Sequence, residues 1–311
     1  MQTETLVQRS WFPIGAHVQR PRVLWLNVIG IGTVHLLALL AFVPWLFSWT
    51  GAISLLLGMY VFGVLGTNVC FHRLLTHRGF RCPLWLERTM AVLGVCCLQD
   101  TPAWWVATHR LHHQHADEEP DPHSPLVNFL WSHMGWLFFE DRSLNRMDTY
   151  QRYARDVLQD PFYFRMERNL LYAWIYVAQT LVFFLVGMAG GWLFSGQLAE
   201  GVRLGLSLVV WGVLVRTVLV WHVTWSVNSL THLWGYRNYE TGENSRNNWL
   251  VGYLAAGEGW HNNHHAFPRS ARHGLAWWEI DVTYATIRLM ERVGLAWDVV
   301  EPPSKASSPA A

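Results

Sequence analysis

Hydrophobic positions in this chain fall into two long blocks separated by polar, arginine-rich sequence. The first block, Val23 to Phe71, runs for 49 residues without one Asp, Glu, Lys or Arg. As helix that is roughly 70 Å, enough to cross a hydrocarbon core of about 30 Å twice. Pro44, Ser48 and Gly51 mark a turn between spans expected at 24–47 and 52–71. The second block, Leu171 to Trp225, is interrupted by Gly190, Gly191, Ser195, Gly196 and Glu200, giving spans at 171–194 and 203–226. The pattern predicts an all-α integral membrane protein: four transmembrane helices in two hairpins, with the remaining sequence forming a helical cytoplasmic cap. Residues 1–22 read as a polar N-terminal segment without the apolar run of a signal peptide. Residues 23–300 read as one membrane domain, and the tail 301–311, EPPSKASSPAA, as disordered.

Composition supports this layout. The chain is 51% hydrophobic and only 14% charged, against about 25% charged for soluble domains. Four buried helices of a soluble protein would fit the uncharged run poorly. A net charge of +1 gives no global field for nucleic acid, so none is expected as a partner. Arg9, Arg20 and Arg22 precede the first span, eleven arginines lie between Arg73 and Arg168, and seven Lys or Arg follow the last span. The first hairpin loop is uncharged, and the second holds only Glu200 with Arg203 at its edge. The positive-inside rule then places both termini and the central segment in the cytoplasm, with a bacterial inner membrane as the expected setting. Cys70, Cys82, Cys96 and Cys97 form no CxxC pair and read as reduced thiols. His35 and Arg216 fall inside spans, where an ionisable group must face protein or water, or snorkel to an interface.

Nine histidines recur at the ends of the apolar blocks and in the polar segments, in HRLLTH, HRLHH, NSLTH and HNNHH. His109, His112 and His113 have the i, i+3, i+4 spacing that shares a helix face, and so do His261, His264 and His265. Within each triplet, different members can reach different metals. His72 follows the second span, with His77 a turn and a half on; Asn228 and His232 are i and i+4 at the end of the fourth. Nine imidazoles exceed one zinc site and suit two six-coordinate metals, hence oxygen chemistry. Imidazole accepts Zn, Cu, Fe and Ni, so ligand type alone leaves the metal open. Glu258 and Asp121, and His123 in its Pro-rich loop, are candidates for the layer behind the ligands. His115, His133, His222 and His273 read as structural or as part of that layer.

Those motifs, with WHVTWSVNSLTHLWG, DPHSP, SHMGW and GEGWHNNHHAFP, resemble the membrane fatty acyl desaturases of the delta-9 type from about His72 to Phe267. The resemblance implies a di-iron enzyme that reduces O2 and inserts a cis double bond into an acyl chain. It implies iron ligands at His72, His77, His109, His112, His113, His232, His261, His264 and His265, with Asn228 holding an iron through water. It also implies an apolar substrate tunnel whose closed end is lined by the second span, for which Leu56 and Tyr60 are the candidates. On that basis Tyr60→Ala should admit longer chains.

Where animal acyl-CoA desaturases carry basic residues after the GW element, this chain reads LFFEDR, with Glu140 and Asp141. Carboxylates repel a pyrophosphate, so the carrier is left open between CoA and a membrane glycerolipid. Arg142, Arg146, Arg152 and Arg155 remain possible phosphate contacts. No haem-binding, ferredoxin or GxGxxG motif is present. Electrons are therefore expected from a separate ferredoxin or cytochrome b5-like protein with its reductase. An acyl or alkyl hydroxylase with the same site is the competing enzyme reading. A metal transporter is the competing non-enzyme reading, disfavoured because transporters place polar ligands near mid-membrane.

Overall fold

The computed structural model describes residues 22–118, 121–140 and 146–303. Residues 1–21, Asp141, Arg142, the tail from 304 and the Glu140 side chain lie outside that description. A two-residue strand β1 (Arg22–Val23) leads into α1 (Trp25–Ala38), which tightens into a 3-10 turn at Leu39–Phe42. The apolar helix Trp25–Phe42 is 18 residues, about 27 Å. It ends short of the expected position 47 because Val43, before Pro44, is extended, as a residue preceding proline prefers. Ser48 then caps α2 (Trp49–Thr76) by accepting from the Gly51 amide at 2.9 Å.

The second and fourth spans outrun their expected lengths. Helix α2 has 28 residues and winds with wide i→i+5 turns from Met59 to Thr76, which carries it five residues past the expected end. After α3 (Leu84–Val95), α4 (Pro102–His115), α5 (Phe129–His133), β2 (Phe139–Glu140), α6 (Arg146–Tyr153), α7 (Arg155–Leu158) and α8 (Pro161–Met166), the second hairpin begins with α9 (Leu171–Ser195). Its partner α10 runs Leu198–Leu233, 36 residues or about 54 Å. Three short helices complete the cap: α11 (Trp249–Leu254), α12 (His261–Ala266) and α13 (Val282–Arg292). Strands β1 and β2 pair antiparallel, Arg22 opposite Glu140. Four helices are thus long and apolar enough to cross a membrane, and their outer faces expose Trp25, Ile29, Leu36, Trp174, Val186 and Phe194.

Gly191 does not interrupt the third span; it lets two helices touch. Gly187 and Gly191 on α9 face Gly205 and Gly201 on α10, and a Cβ at Gly187 would sit 2.7 Å from the Gly205 Cα. Small residues four apart are how membrane helices approach closely. The chain reverses only at Gly196, with φ +71°, and Gln197. Glu200 and Arg203 therefore fall inside the first turns of α10, paired at 2.8 Å.

The two ionisable residues within spans face protein. Arg216 is fully buried; it donates to the Cys96 carbonyl (2.9 Å) and Gln179 Oε1 (3.3 Å) and lies 4.0 Å from the Phe62 ring centre. His35 bonds the Ile31 carbonyl at 2.8 Å and His222 at 3.1 Å. His222 in turn meets His133 at 3.0 Å, so three of the remaining histidines form one hydrogen-bonded chain joining α1, α10 and α5.

Helix α2 packs closely on the cap where Gly66 meets Gly94 of α3, and a Cβ there would fall 2.3 Å from the Gly94 nitrogen. Backbone cannot retreat as a side chain can, and overpacking costs about 1–3 kcal/mol. Gly66→Val is expected to lose at least that much stability, read as a lowered Tm in detergent. Gly190→Ala, with nothing within 4 Å of its Cβ position, should leave Tm within a degree or two.

Candidate metal centre

The two overlong helices bring histidines from the membrane to the cap. His72 sits within α2 and His77 at its C-cap, where the His77 amide bonds the His72 carbonyl across five residues. An ordinary α-helix turns the pair away from each other; the i→i+5 winding stacks them one turn apart, ring centres 4.9 Å apart. Helix α4 begins at Pro102 behind the Thr101 cap and directs His109 and His113 at the α2 histidines and His112 at His232 of α10. The six-residue α12 is too short to hold itself. The asparagines of HNNHH anchor it: Asn262 Oδ1 accepts the Asn238 and Tyr239 amides, both at 2.8 Å, and Asn263 bonds Asn238, Asn247, Glu279 and the His273 carbonyl.

The nine imidazoles form two groups, in each of which the nitrogens lie within 4.8 Å of one another. One contains His72, His77, His109, His113 and His264; the other contains His112, His232, His261 and His265. Each triplet divides: α4 gives its outer pair to the first group and His112 to the second, whereas α12 gives its outer pair to the second and His264 to the first. Asn228 lines the adjoining cavity together with His109.

The donor set fits metal ions. In the first group the Nε2 of His264 lies 3.1 Å from that of His72 and 2.9 Å from that of His113. In the second, the Nε2 of His261 lies 3.1 Å from those of both His232 and His265. With metal–nitrogen bonds near 2.1 Å, neighbouring donors at right angles stand about 3.0 Å apart. Three outer nitrogens are committed: His72 Nδ1 donates to Glu258 (2.6 Å), His112 Nδ1 to Asp121 (3.0 Å) and His232 Nδ1 to Asp117 (3.3 Å). With Nδ1 donating outward, Nε2 of each of these rings is turned toward the cluster, where a metal ion could take its lone pair. The Nε2 atoms of His77 and His112 are buried without a hydrogen-bond partner. Burial, then the charges neighbouring imidazoles would carry, holds His77, His109, His113, His261, His264 and His265 well below the usual histidine range. They are neutral donors at pH 7. Burial also opposes protonation of His112, but Asp121, Asp117 and Glu243 outweigh it and raise its pKa.

Behind the imidazoles stands a layer that the sequence revealed only in part. Glu258, Asp121 and His123 are there: Asp121 accepts from His112, and the His123 ring packs 4.4 Å from that of His112. Asp117 and Glu243 were not singled out, yet Asp117 bonds His232, and Glu243 lies 3.5 Å from His265 Nδ1 and 3.8 Å from His232 Nδ1. His273 is buried 3.3 Å from Glu258. Arg73, fully buried, clamps Glu258 and Asp281, both at 2.9 Å. Against the burial that would raise it, Glu258 is held well below the carboxylate range by Arg73, His72 and His273. His115 instead is paired at the surface with Glu118, 3.1 Å away.

A cavity of about 860 Å³ adjoins the imidazoles. Asn27, Gly30 and Ile31 of α1, Trp104 to His109 of α4 and Trp221 to Asn228 of α10 contribute to its walls. Gln99 bridges two of them, donating to Thr224 Oγ1 (3.0 Å) and accepting from Trp105 Nε1 (3.2 Å). Leu56 and Tyr60 are not part of this lining. Leu56 is 71% exposed on the outer face, and the Tyr60 hydroxyl bonds Thr286 Oγ1 at 2.9 Å. Counting α-turns back from His72 misassigned their face, because the wide turns begin at Met59. Arg146 does reach the cavity, where it pairs with Asp100 at 3.3 Å and lies over Trp104; Arg152 and Arg155 line a separate cleft.

Four apolar spans, a buried histidine cluster that could hold metal and an adjoining, mostly apolar cavity define the class of this molecule. The family model for fatty acid desaturase matches residues 44–297, and the chain belongs to that family. It is 42% identical over 280 residues to an sn-1 stearoyl-lipid 9-desaturase of Anabaena variabilis, covering 90% of this chain and 95% of the relative. It is 41% identical over 289 residues to an sn-2 palmitoyl-lipid 9-desaturase of Nostoc, 93% of this chain and 94% of the relative. An acyl-CoA C20 Delta5-desaturase of Anemone leveillei is 41% identical over 276 residues, 89% of this chain and 81% of the relative.

Removing the acceptor behind a ligand histidine typically costs 10–100-fold in metal affinity. Glu258→Gln is therefore expected to weaken Zn2+ binding by about that factor in calorimetric titration of the metal-stripped protein. Glu118→Gln, at the surface, should leave it unchanged.

Proposed function

We propose that the chain desaturates acyl chains of a membrane glycerolipid at the delta-9 position, using two irons held by the nine histidines, with Asn228 acting through water. The observation that carries this reading is the pair of inward-facing nitrogen clusters beside an apolar cavity. Per turnover, O2, two electrons and two protons would enter, two hydrogens would leave adjacent methylenes, and two waters would form. Irons supply the one-electron steps that side chains cannot.

The chain's own residues bind, bend and shield the acyl tail. Gln99, Thr224 and Trp105 form a hydrogen-bonded ridge, and Trp105 stacks on His109 with ring centres 5.0 Å apart. An acyl chain passing the ridge is turned toward the imidazoles in one pose, which a single position and a cis product both require. Arg146 in the cavity lining and two of the three relatives support a lipid carrier. Arg146 already has Asp100 as partner, and a second negative group would be repelled there; two of the relatives named above act on acyl-lipids. The irons and both termini are assigned to the cytoplasmic side of a bacterial inner membrane, with electrons from a separate ferredoxin or cytochrome b5-like carrier and its reductase.

Expression in a host poor in unsaturated fat, with a ferredoxin system, tests the reading. A cis-9 monoene in glycerolipids is expected with the wild type and not with His112→Ala. A hydroxylated product, or no product from folded, metal-loaded protein, would overturn it. Chain length gives a second test. Gly30 lines the cavity with no atom within 4 Å of its Cβ position, so Gly30→Phe should fill space without disturbing the fold. It is expected to shift products to shorter chains, while Tyr60→Ala leaves the profile unchanged.

A further inference from the structure

We propose that the cleft formed by Arg110, Gln151, Arg152, Tyr153, Arg155 and their neighbours docks an acidic one-electron carrier protein. It is the face through which electrons reach the imidazole cluster, and the proposal rests on the desaturase reading above. The cleft lies where α6 and α7 meet α4, and its lining shares no residue with that of the acyl cavity. Carrier and substrate can thus be engaged together.

Charge is the first observation. Arg110, Arg152 and Arg155 line the cleft, and Arg78 reaches its one carboxylate, Asp156. Three guanidinium groups against one carboxylate leave the lining an excess of two positive charges, on a chain whose formal net charge is only +1. Arg152 and Arg155 are exposed and have no ion-pair partner among the described residues. Such a concentration steers an oppositely charged protein and raises its association rate by roughly 10- to 1,000-fold.

Connection is the second observation, and it favours an electron carrier over other acidic partners. Arg110 forms the floor of the cleft. Its guanidinium donates to the carbonyls of Tyr153 (2.7 Å), Thr76 (2.9 Å) and Leu75 (2.7 Å), and to Asp156 (2.8 Å). Thr76 is bonded covalently to His77, and Arg110 to His109, two members of the same five-imidazole group. A cofactor seated above the floor reaches that group through short hydrogen bonds and covalent bonds alone. An anionic lipid surface is the competing occupant. A lipid headgroup would make no use of the path from the cleft floor to the imidazole group.

The test uses the full-length, iron-loaded enzyme in phosphatidylcholine nanodiscs, with an acidic [2Fe–2S] ferredoxin and the acidic soluble domain of cytochrome b5 as probes. The double variant Arg152→Glu/Arg155→Glu is compared with wild type for probe binding and for probe-driven desaturation. For the probe that supports wild-type turnover, Kd and KM are expected to rise at least tenfold, and the salt dependence of KM to flatten. Activity with photoreduced flavin, a small-molecule reductant, should be unchanged. The Arg152→Lys/Arg155→Lys variant should stay within about threefold of wild type. Unchanged Kd and KM would overturn the proposal, as would an equal loss with photoreduced flavin. So would a loss confined to binding of phosphatidylglycerol vesicles. A wild type inactive with every reductant would instead count against the desaturase reading, and the probe Kd values would then decide the docking face alone.

Discussion

Imidazole ligands bring no negative charge, so nine of them around two divalent cations would leave the metal charge unbalanced. That deficit governs the architecture. Four buried or half-buried carboxylates, Asp117, Asp121, Glu243 and Glu258, stand at the outer nitrogens of the histidines. Arg73 and Asp281 cancel each other beside them. The carboxylates stand where they orient His72, His112, His232 and His265 and would offset the charge of bound metal through those rings. Placing them requires five chain segments from both halves of the sequence to converge above the membrane. The long α2 and α10, the tightly packed glycine seam and the asparagine-anchored α12 all serve that convergence.

The same compensation explains the non-histidine letters of the motifs. The Arg of HRLLTH is Arg73, which pairs with both Glu258 and Asp281 and offsets one of their two charges. The Arg of HRLHH is Arg110, which ties the end of α2 to α4 through the Leu75 and Thr76 carbonyls. Neither guanidinium has an imidazole as its hydrogen-bond partner, yet each fixes the backbone or the carboxylate on which imidazoles depend. Buried guanidinium groups suit this task because their donors are numerous and rigidly disposed.

What was legible in the sequence was whatever repeats or excludes at short range. The uncharged run from Val23 to Phe71 announced the first hairpin, and the histidine spacing announced the clusters and their division. Three things were hidden. The carboxylates at Asp117 and Glu243 lie in ordinary polar sequence, and only the fold brings Glu243 to His265. Gly191 reads as a helix breaker in water but as a contact surface between membrane helices. The winding of α2 leaves no mark in composition, so positions counted at 3.6 per turn, Tyr60 and Leu56 among them, were assigned to the wrong face.

That winding makes α2 a ruler whose length is as restrictive as its chemistry. With i→i+5 turns from Met59 onward, His72 and His77 together face the cap only while the number of residues between Gly58, which packs on the Arg216 side chain, and the cap is kept. Removing one residue from this stretch would rotate everything beyond it by roughly a quarter of a turn. It would withdraw two donors at once while every motif remained intact. Substitutions along the lipid-facing side are comparatively free; insertions and deletions are not. Among members of this architecture, the spacing from the Gly58 contact to the first histidine should therefore vary less than the residues that fill it.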